Sequence, residues 1–398
     1  MTYERKLDSW LKGFMEWTMP RSIAPESVLT LCGLFCLSSA LRRHVKIPKK
    51  YLGGWENYPH LYITLVADPG VITKSTSIGF VEDLLDELPH ITRTPESFTV
   101  PIIGVRLKKA PDASLCMIVP EFGTVAEKSG IGLYTVLTNL FDGKKRFDEE
   151  TISRELVFAA SPIVNMLAAT TPDWIGDNMP NSILNGGFGS RTIFLHEKAP
   201  RQKRLLYHRI TRDEAKFDKL RSNLIADLNH ISENVNGDFE FDSDETADWF
   251  ENWYQEIENN TNASNRRIKG YLQRKPAYVM KVAMLLTISS TDNLILYRPI
   301  LENAIQLMEG LEKKMVTAFK HVGKNKYSVD IDSLAGYIKT RKKAPHQEIL
   351  EEFQATAEPM MLESLLGFLM QTKKIKMFME AGSRIYAWNE NPPSHSET

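Results

Sequence analysis

The first fifty residues place apolar side chains three to four positions apart, which is the spacing of an amphipathic helix. Leu7, Trp10 and Phe14 follow this spacing. A second, more strongly apolar run covers 25–41 and ends in basic residues, which suit the C-terminus of a helix. We therefore predict a helical N-terminal region over 1–56.

From residue 61 the pattern changes to short apolar runs that alternate with helical spacing. Continuous apolar runs of this length are typical of strands that are covered on both faces. The predicted strands are 61–66, 114–119, 157–159, 162–169 and 191–195, and the predicted helices are 74–88 and 133–141. Alternation of strand and helix favours an α/β core with a mostly parallel sheet, which we assign to 57–210.

The rest of the chain divides into a helical region, 211–325, and a small final unit, 326–390. The final unit has three short helical segments and then a hairpin whose turn is marked by Gly382 and Ser383. The helices are predicted at 331–340, 345–353 and 358–372, and the strands at 374–379 and 384–388. This order is typical of a winged helix. The polar tail 391–398 is predicted to be disordered.

Composition places the 398-residue chain among ordinary globular proteins, with 42% hydrophobic and 25% charged residues. The net charge of −1 shows no general excess of basic residues, so any contact with nucleic acid has to be local. Three cysteines and nine scattered histidines form no zinc or disulfide pattern. No apolar run reaches the ~20 residues of a membrane span, so we expect no membrane contact and a cytoplasmic location.

The first candidate site follows the predicted strand 61–66. Asp68, Pro69, Gly70, Val71, Ile72, Thr73, Lys74, Ser75 and Thr76 form a loop that leads into a helix. This is the layout of a phosphate-binding loop, in which backbone N–H groups surround phosphates, the lysine adds charge and the Ser hydroxyl holds Mg²⁺. The usual spacing G-x-x-x-x-G-K-S/T is broken, because Asp68 and Thr73 replace the two glycines. An ordinary strand followed by a helix is the alternative.

Nucleotide hydrolysis also needs a carboxylate that orients water. Glu121 follows the predicted strand 114–119, where the carboxyl edge of a parallel sheet would bring it beside the loop. Pro120 stands where an Asp usually precedes such a glutamate, so Glu121 would be the only acid of the pair, and Ser75 with water would hold most of the Mg²⁺. The alternative is a glutamate that caps a strand at the surface. Thr171, after the strand 162–169, adds a polar side chain at the same edge.

The Gly-rich segment 185–191 ends in Arg191 and runs into the last predicted strand. A turn of this kind suits an arginine finger, which reaches the γ-phosphate of a nucleotide held by a neighbouring subunit. We expect Arg191 at the same sheet edge as Lys74 and Glu121. The alternative is a flexible turn with a solvated arginine.

Taken together, these motifs resemble the P-loop ATPase domains, of helicase type, that occur in phage and mobile-element replication proteins, often beside a primase. The resemblance covers about residues 7–310. It depends on the segments 57–76, 119–123, 168–175, 186–191 and 270–284, in that order.

The resemblance implies an AAA+/RecA-like P-loop NTPase core, a helical lid at 211–325 and a C-terminal winged helix. It implies that Lys74 and Ser75 bind the phosphates and Mg²⁺ of ATP, and that Glu121 positions water. It places Thr171 at a sensor position and Arg191 at the finger, and it makes Arg274 a second sensor from the lid. A finger that acts on a neighbour implies a homo-oligomeric ring, a hexamer, with a primase as a further partner.

Basic residues cluster in the final unit. They are Lys339, Arg341, Lys342 and Lys343 after its first helix and Lys373, Lys374, Lys376 and Arg384 along the hairpin. Such a cluster suits contacts with DNA phosphates, and a protein-binding winged helix is the alternative.

The sequence therefore predicts an ATP-hydrolysing DNA motor, a ring-forming helicase on single-stranded or forked DNA in phage or mobile-element replication. One alternative is a platform that binds nucleotide and DNA with little or no hydrolysis, because the loop lacks its glycines. Another is a packaging or defence ATPase, although no nuclease-like acidic cluster is evident.

Overall fold

The computed structural model describes residues 3–51, 54–143, 146–151, 154–203, 213–260, 268–318, 328–354, 359–380 and 382–390. Within these ranges, the side chains of 148–151, 154–158, 258–260, 328–330 and 332 are not described. The chain divides into two compact units, a core unit over Met1–Val322 and a C-terminal unit over Gly323–Thr398. The predicted disorder of 391–398 lies outside the described residues.

A four-stranded parallel sheet carries the candidate site of the core unit. In space its strands follow the order β3 (Ser114–Val119), β6 (Ile163–Thr170), β2 (Tyr62–Val66) and β7 (Ile193–His196). Each neighbouring pair is parallel, so all the carboxyl ends lie at one edge of the sheet. We call this the carboxyl edge and the opposite one the amino edge.

These strands form because their apolar runs are covered on both faces. Every residue of the four strands is buried. The strands predicted at 61–66, 114–119 and 162–169 are therefore confirmed as members of a parallel sheet. The strand predicted at 191–195 starts later, because Gly189–Arg191 forms a 3₁₀ turn and β7 begins at Ile193.

The short strand predicted at 157–159 belongs to a different sheet. It lies in β5 (Arg154–Ala160), which pairs antiparallel with β4 (Arg146–Thr151). This hairpin forms a separate two-stranded sheet. Arg93 makes a single parallel bridge with Cys116 of β3, the strand at one end of the main sheet.

Eight helices precede or separate the strands of the main sheet within the described part of the first 200 residues. They are α1 (Trp10–Thr18), α2 (Glu26–Leu41), α3 (Lys74–Leu85), α4 (Val100–Lys109), α5 (Phe122–Ser129), α6 (Ile131–Phe141), α7 (Pro172–Asn178) and α8 (Asn181–Leu184). Helix α2 is apolar on all sides because nearly its whole length is buried. Its two cysteines, Cys32 and Cys36, and Cys116 of β3 are free and buried.

The second half of the core unit is mainly helical, as predicted. Its helices are α9 (Glu214–Asn234), α10 (Asp244–Asn260), α11 (Lys269–Leu272), α12 (Lys275–Ser290) and α13 (Arg298–Ala318). Two short parallel pairings were not predicted, because strands of two residues leave no periodic signal. These pairs join β1 (Val45–Lys46) to β8 (Gly237–Asp238) and β9 (Glu240–Phe241) to β10 (Ile295–Leu296).

The C-terminal unit has its own apolar core. Its elements are α14 (Ser328–Arg341), β11 (Lys343–Pro345), α15 (His346–Phe353), α16 (Pro359–Gln371), β12 (Ile375–Glu380) and β13 (Ser383–Trp388). The three helices and the hairpin match the predicted order. The third strand, β11, was not predicted, and it pairs with β13 to give the antiparallel order β11-β13-β12.

The fold is thus mixed α/β with a parallel sheet in the core unit. None of the helices in the described ranges combines the length and the apolar character needed to cross a membrane.

Candidate functional site

The loop between β2 and α3 lies at the carboxyl edge. It leaves the sheet after Val66, and α3 begins at Lys74. Two loop residues have left-handed backbone conformations, Gly70 at φ +73° and Thr73 at φ +50° and ψ +49°. A glycine adopts this conformation without strain, whereas a β-branched threonine does so at a cost of about 1–2 kcal/mol. The strained residue stands at one of the two positions where the motif expects glycine.

The N-terminus of α3 opens toward this loop. No side chain caps the first turn of α3, and Ser75 and Thr76 of that turn are exposed. The first N–H groups of a helix have no partner within the helix, and together with the helix dipole they favour an anion. The start of α3 therefore favours a negatively charged group such as phosphate.

Lys74 is half-buried, and its ammonium donates a hydrogen bond to the Ala67 carbonyl. Burial lowers the pKa of Lys74 from its ordinary value, whereas the carboxylates of Glu121 and Asp68 act in the opposite direction. The effect of burial is the larger one. The lysine thus lies within the electrostatic reach of both acids and gains by meeting an anion.

Glu121 lies two residues after the end of β3 and directly precedes α5. Its side chain is exposed and does not cap the first turn of α5. Together with the Ser75 hydroxyl it offers two of the oxygen ligands that Mg²⁺ prefers. In the described part of the chain, no group of three or more His, Cys, Asp or Glu side chains is placed to hold a metal. An ion at this edge would therefore take its remaining ligands from phosphate and water.

Thr171 follows β6, the strand between β2 and β3, so it lies between the loop and Glu121. Its hydroxyl oxygen accepts a hydrogen bond from the Trp174 N–H at 3.2 Å and caps α7. The hydroxyl proton is left available to donate. The Trp174 ring packs edge-on against Phe122, the residue after Glu121, which ties α7 to the segment that carries this glutamate.

The expectation that Arg191 lies at the carboxyl edge is wrong. Ile193 of β7 pairs with Ile63 near the start of β2, so Arg191 lies at the amino edge. The length of β2 separates the two edges by about 16 Å. The physical reason is that a residue that precedes a parallel strand lies at the opposite edge of the sheet from a residue that follows one.

Arg191 is also buried, with 9% of its surface exposed. Its Nε donates to Asp142 Oδ1 at 2.9 Å, its Nη2 contacts Asp142 Oδ2, and its Nη1 donates to the Gly187 carbonyl at 2.8 Å. A paired arginine of this kind differs from the solvated arginine of the alternative interpretation. It also differs from an arginine finger whose guanidinium is exposed to a neighbouring subunit.

Arg274 immediately precedes α12 and shares the same carboxylate. Its Nη1 donates to Asp142 Oδ1 at 3.2 Å. Burial first, and then the nearby Arg191, lowers the pKa of Arg274, while Asp142 raises it. The two predicted arginines therefore meet each other at the amino edge and do not meet Lys74.

Asp142 was not singled out from the sequence. It follows α6 and precedes Gly143, and an acid in such a position indicates only an ordinary polar turn. Only the fold, which brings the segments near residues 142, 191 and 274 together, identifies it.

The eight basic residues predicted to bind DNA all lie on the C-terminal unit, and seven of them are exposed. Three of them are paired with acids of the same unit, Arg341 with Glu348, Lys343 with Glu380, and Arg384 with Glu363. Within the described part of this unit, Lys342, Lys373, Lys374 and Lys376 have no ion pair. The hairpin also exposes apolar side chains, with Met379 62% exposed. The surface is therefore mixed in character.

No protein-family model matches this chain, and no curated protein is significantly similar to it in sequence.

Proposed function

We propose that this protein is an ATP-hydrolysing motor that acts on DNA, a ring-forming helicase of phage or mobile-element replication. The observation that carries the proposal is the convergence of Lys74, Ser75, Glu121 and Thr171 at the carboxyl edge of one parallel sheet. Parallel α/β sheets bind ligands at this edge. The C-terminal unit, with helices and a three-stranded sheet in the order of a winged helix, would contact DNA.

In this proposal the core unit is a P-loop NTPase with a helical lid. Lys74 and the uncapped amides of α3 would hold the phosphates, and Ser75 with Glu121 would hold Mg²⁺, which supplies charge neutralisation when bound. Glu121 would orient the attacking water and accept its proton. Thr171 would donate its free hydroxyl proton toward the same space.

Arg191 requires a further step. To act as a finger, its guanidinium would have to leave Asp142 and reach a nucleotide in a neighbouring copy of the chain. Its position at the amino edge suits action in trans, because it is far from the Lys74 loop of its own chain. A ring, such as a hexamer, provides the required contact between one copy's amino edge and the next copy's carboxyl edge.

A second candidate function is a platform that binds nucleotide and DNA without turnover. The observation that favours it is the strained backbone of Thr73, together with Asp68, where the motif has glycines. The pairing of Arg191 with Asp142 points in the same direction, because it leaves no finger on the surface.

Measurement of ATP hydrolysis with and without single-stranded DNA tests the proposal. We expect Glu121→Gln to lower the DNA-stimulated rate by about 10²–10⁴-fold while nucleotide binding persists, and Lys74→Ala to weaken binding as well. Lys219→Ala, on the exposed face of α9, is the matched control and should leave the rate unchanged. Nucleotide binding without hydrolysis in the unmodified protein would establish the platform instead. Hydrolysis that survives both Lys74→Ala and Glu121→Gln would overturn the motor.

A further inference from the structure

A cavity of about 840 Å³ lies in the core unit beside the segment that leads into β2. Its walls come from this segment, from the end of α6, from α10 and from the start of α12. It thus adjoins the amino edge, on the far side of the sheet from the Lys74 loop. Its volume lies in the range of small-molecule and cofactor sites.

Lys281 of α12 lines this cavity and is only 3% exposed. Its ammonium donates to the Tyr58 carbonyl at 2.5 Å and lies 3.3 Å from His60 Nδ1. His60 Nε2 is 2.9 Å from the Phe141 carbonyl, which can only accept, so Nε2 carries the proton and Nδ1 accepts from Lys281. Among the described residues no carboxylate lies within ion-pair distance of Lys281. One of its three N–H donors therefore remains for a ligand.

The neighbouring charges add to this positive character. Arg274, which also lines the cavity, shares Asp142 with Arg191, so two guanidinium groups face one carboxylate. Arg274 and Lys281 thus place two cationic side chains on the cavity wall, beside the single acid Asp142 that Arg274 already shares with Arg191 behind the wall. Burying charge without a partner is costly, and an anion that enters the cavity offsets that cost.

Acidic residues also line the cavity, but they are already hydrogen-bonded to other side chains or exposed to solvent. Glu56 already accepts hydrogen bonds from Lys46 at 2.8 Å and from Tyr58 at 2.9 Å. Asp248 and Glu251 lie on the exposed face of α10, where solvent and salt screen their charge. These acids therefore oppose an incoming anion less than their number suggests, and Lys281 and Arg274 are the groups that would attract it.

The remaining walls are aromatic. They are lined by Tyr51, Trp55, Phe141, Phe241, Phe250 and Tyr254. Trp55 is 71% exposed and Tyr254 is 39% exposed, so two large rings stand open to an incoming ligand. Aromatic faces of this kind stack on planar rings, and nucleobases offer such rings whatever their sequence.

We propose that this cavity binds a nucleotide unit, with its phosphate toward Lys281 and Arg274 and its base between the rings of Trp55 and Tyr254. It is a second site, about 16 Å from the Lys74 loop across the sheet. The same chemistry could come from a free mononucleotide or from the phosphorylated end of a nucleic-acid strand. The inference does not depend on hydrolysis at the carboxyl edge.

Equilibrium dialysis with labelled AMP tests the site in the full-length chain. Lys74→Ala removes the charge of the phosphate loop, and we expect this variant still to bind one AMP per chain. Adding Lys281→Met should weaken the remaining binding by at least about tenfold, because charge-assisted hydrogen bonds to phosphate are lost. Tyr254→Ala, a change at the open rim that spares the fold, should weaken it by a smaller factor. Lys219→Met is the matched control and should bind as Lys74→Ala does.

Fluorescence gives a second readout that reports on the rim. Quenching by AMP should be smaller in Trp55→Phe than in the unmodified chain, because Trp55 then no longer contributes. A 5′-phosphorylated oligonucleotide that displaces AMP identifies a strand end as the source, and one that does not displace it identifies a free nucleotide. Loss of all AMP binding in Lys74→Ala, or unchanged binding in the Lys74→Ala, Lys281→Met double variant, would overturn the proposal.

Discussion

The charged residues at the two edges of the parallel sheet differ in how far they are buried. At the carboxyl edge, Glu121 and Asp68 are exposed and Lys74 is half-buried, with a backbone carbonyl as its partner. At the amino edge, Arg191 and Lys281 are buried among polar groups brought together from distant parts of the chain. The carboxyl edge exposes its acids to solvent, whereas the amino edge buries its cations and pairs them only in part.

The difference has an energetic meaning. Exposed acids at the carboxyl edge cost little, because water solvates them. Buried cations at the amino edge are tolerated only as far as Asp142, the Tyr58 carbonyl and His60 compensate them. Substitutions at the amino edge should therefore change stability by larger amounts than substitutions at the carboxyl edge.

The largest effect is expected at Asp142. Asp142→Asn removes the one carboxylate that Arg191 and Arg274 share, and it leaves two neighbouring guanidinium groups with no opposite charge. Arg191 is buried although Asp142 is 40% exposed, so the loss of its charged hydrogen-bond acceptor should lower the free energy of unfolding by about 2–3 kcal/mol. Urea titration followed by circular dichroism measures the loss.

The control for this change is Asp218→Asn, an exposed acid on α9. A surface substitution of this kind should stay within about 0.5 kcal/mol of the unmodified chain. If Asp142→Asn changed the free energy of unfolding as little as Asp218→Asn does, the buried cations at the amino edge would not depend on the charge of Asp142.

Two buried lysines of the same helix give the next comparison. Lys275 contacts Glu309 at 3.4 Å and Glu312 at 3.1 Å, whereas Lys281 has no carboxylate within ion-pair distance among the described residues. Lys275→Met should therefore destabilise the fold by about 2 kcal/mol, because it leaves Glu312 poorly solvated and unpaired. Lys281→Met should stabilise it by about 1 kcal/mol, because the cost of burying the ammonium exceeds the two hydrogen bonds that are lost. Thermal unfolding checks this, because the melting temperature should fall in Lys275→Met and rise in Lys281→Met.

The pH dependence of Lys281→Met provides an independent check. Burial holds the pKa of Lys281 well below its usual 10.5. Between the pKa of the folded chain and 10.5, the unfolded chain binds more protons, so this lysine makes stability rise with pH in that window. Below the window the cost of burial is fully present. The advantage of Lys281→Met should accordingly be larger at neutral pH than near pH 10.5, where it should vanish, and an advantage independent of pH would contradict this explanation.

The sequence predicted the carboxyl edge much better than the amino edge. The residues Asp68–Thr76, Glu121 and Thr171 each follow a buried apolar strand, and the ends of parallel strands meet at one edge, so local patterns were sufficient. At the amino edge the partners Asp142, Arg191 and Arg274 are far apart in the chain. Their meeting depends on how the helices pack, and no local spacing encodes that. The same reason explains why Arg191 was placed at the wrong edge.

Secondary structure shows a similar division. Long apolar runs identified the four strands of the main sheet, and turn residues identified the hairpin of the C-terminal unit. The two-residue pairings β1–β8 and β9–β10 and the three-residue strand β11 were missed. Elements this short form because neighbouring elements hold them in place, so their own residues carry too little signal.

The smallest expected effect lies in the loop between β2 and α3, at Thr73. Thr73→Gly relieves a left-handed conformation that costs a threonine about 1–2 kcal/mol, and it loses about 0.5–1 kcal/mol through the greater freedom of glycine in the unfolded chain. It also loses the contact of the Thr73 hydroxyl with Ser22 Oγ at 3.3 Å. The net result should be a gain in stability of about 0.5 kcal/mol, measured by thermal unfolding.

Thr76→Gly is the matched control, because Thr76 lies three residues further on in the first turn of α3 with helical backbone. There the same substitution should destabilise the chain by about 0.5 kcal/mol, since glycine is a poorer helix former. The opposite signs would locate the strain at the position where a phosphate loop carries its glycine. If Thr73→Gly also tightens ATP binding while Thr76→Gly does not, the carboxyl edge is a nucleotide site whose affinity this threonine limits. If both variants lose stability, Thr73 is held in its conformation by contacts that outweigh the strain, and the loop is adapted to threonine.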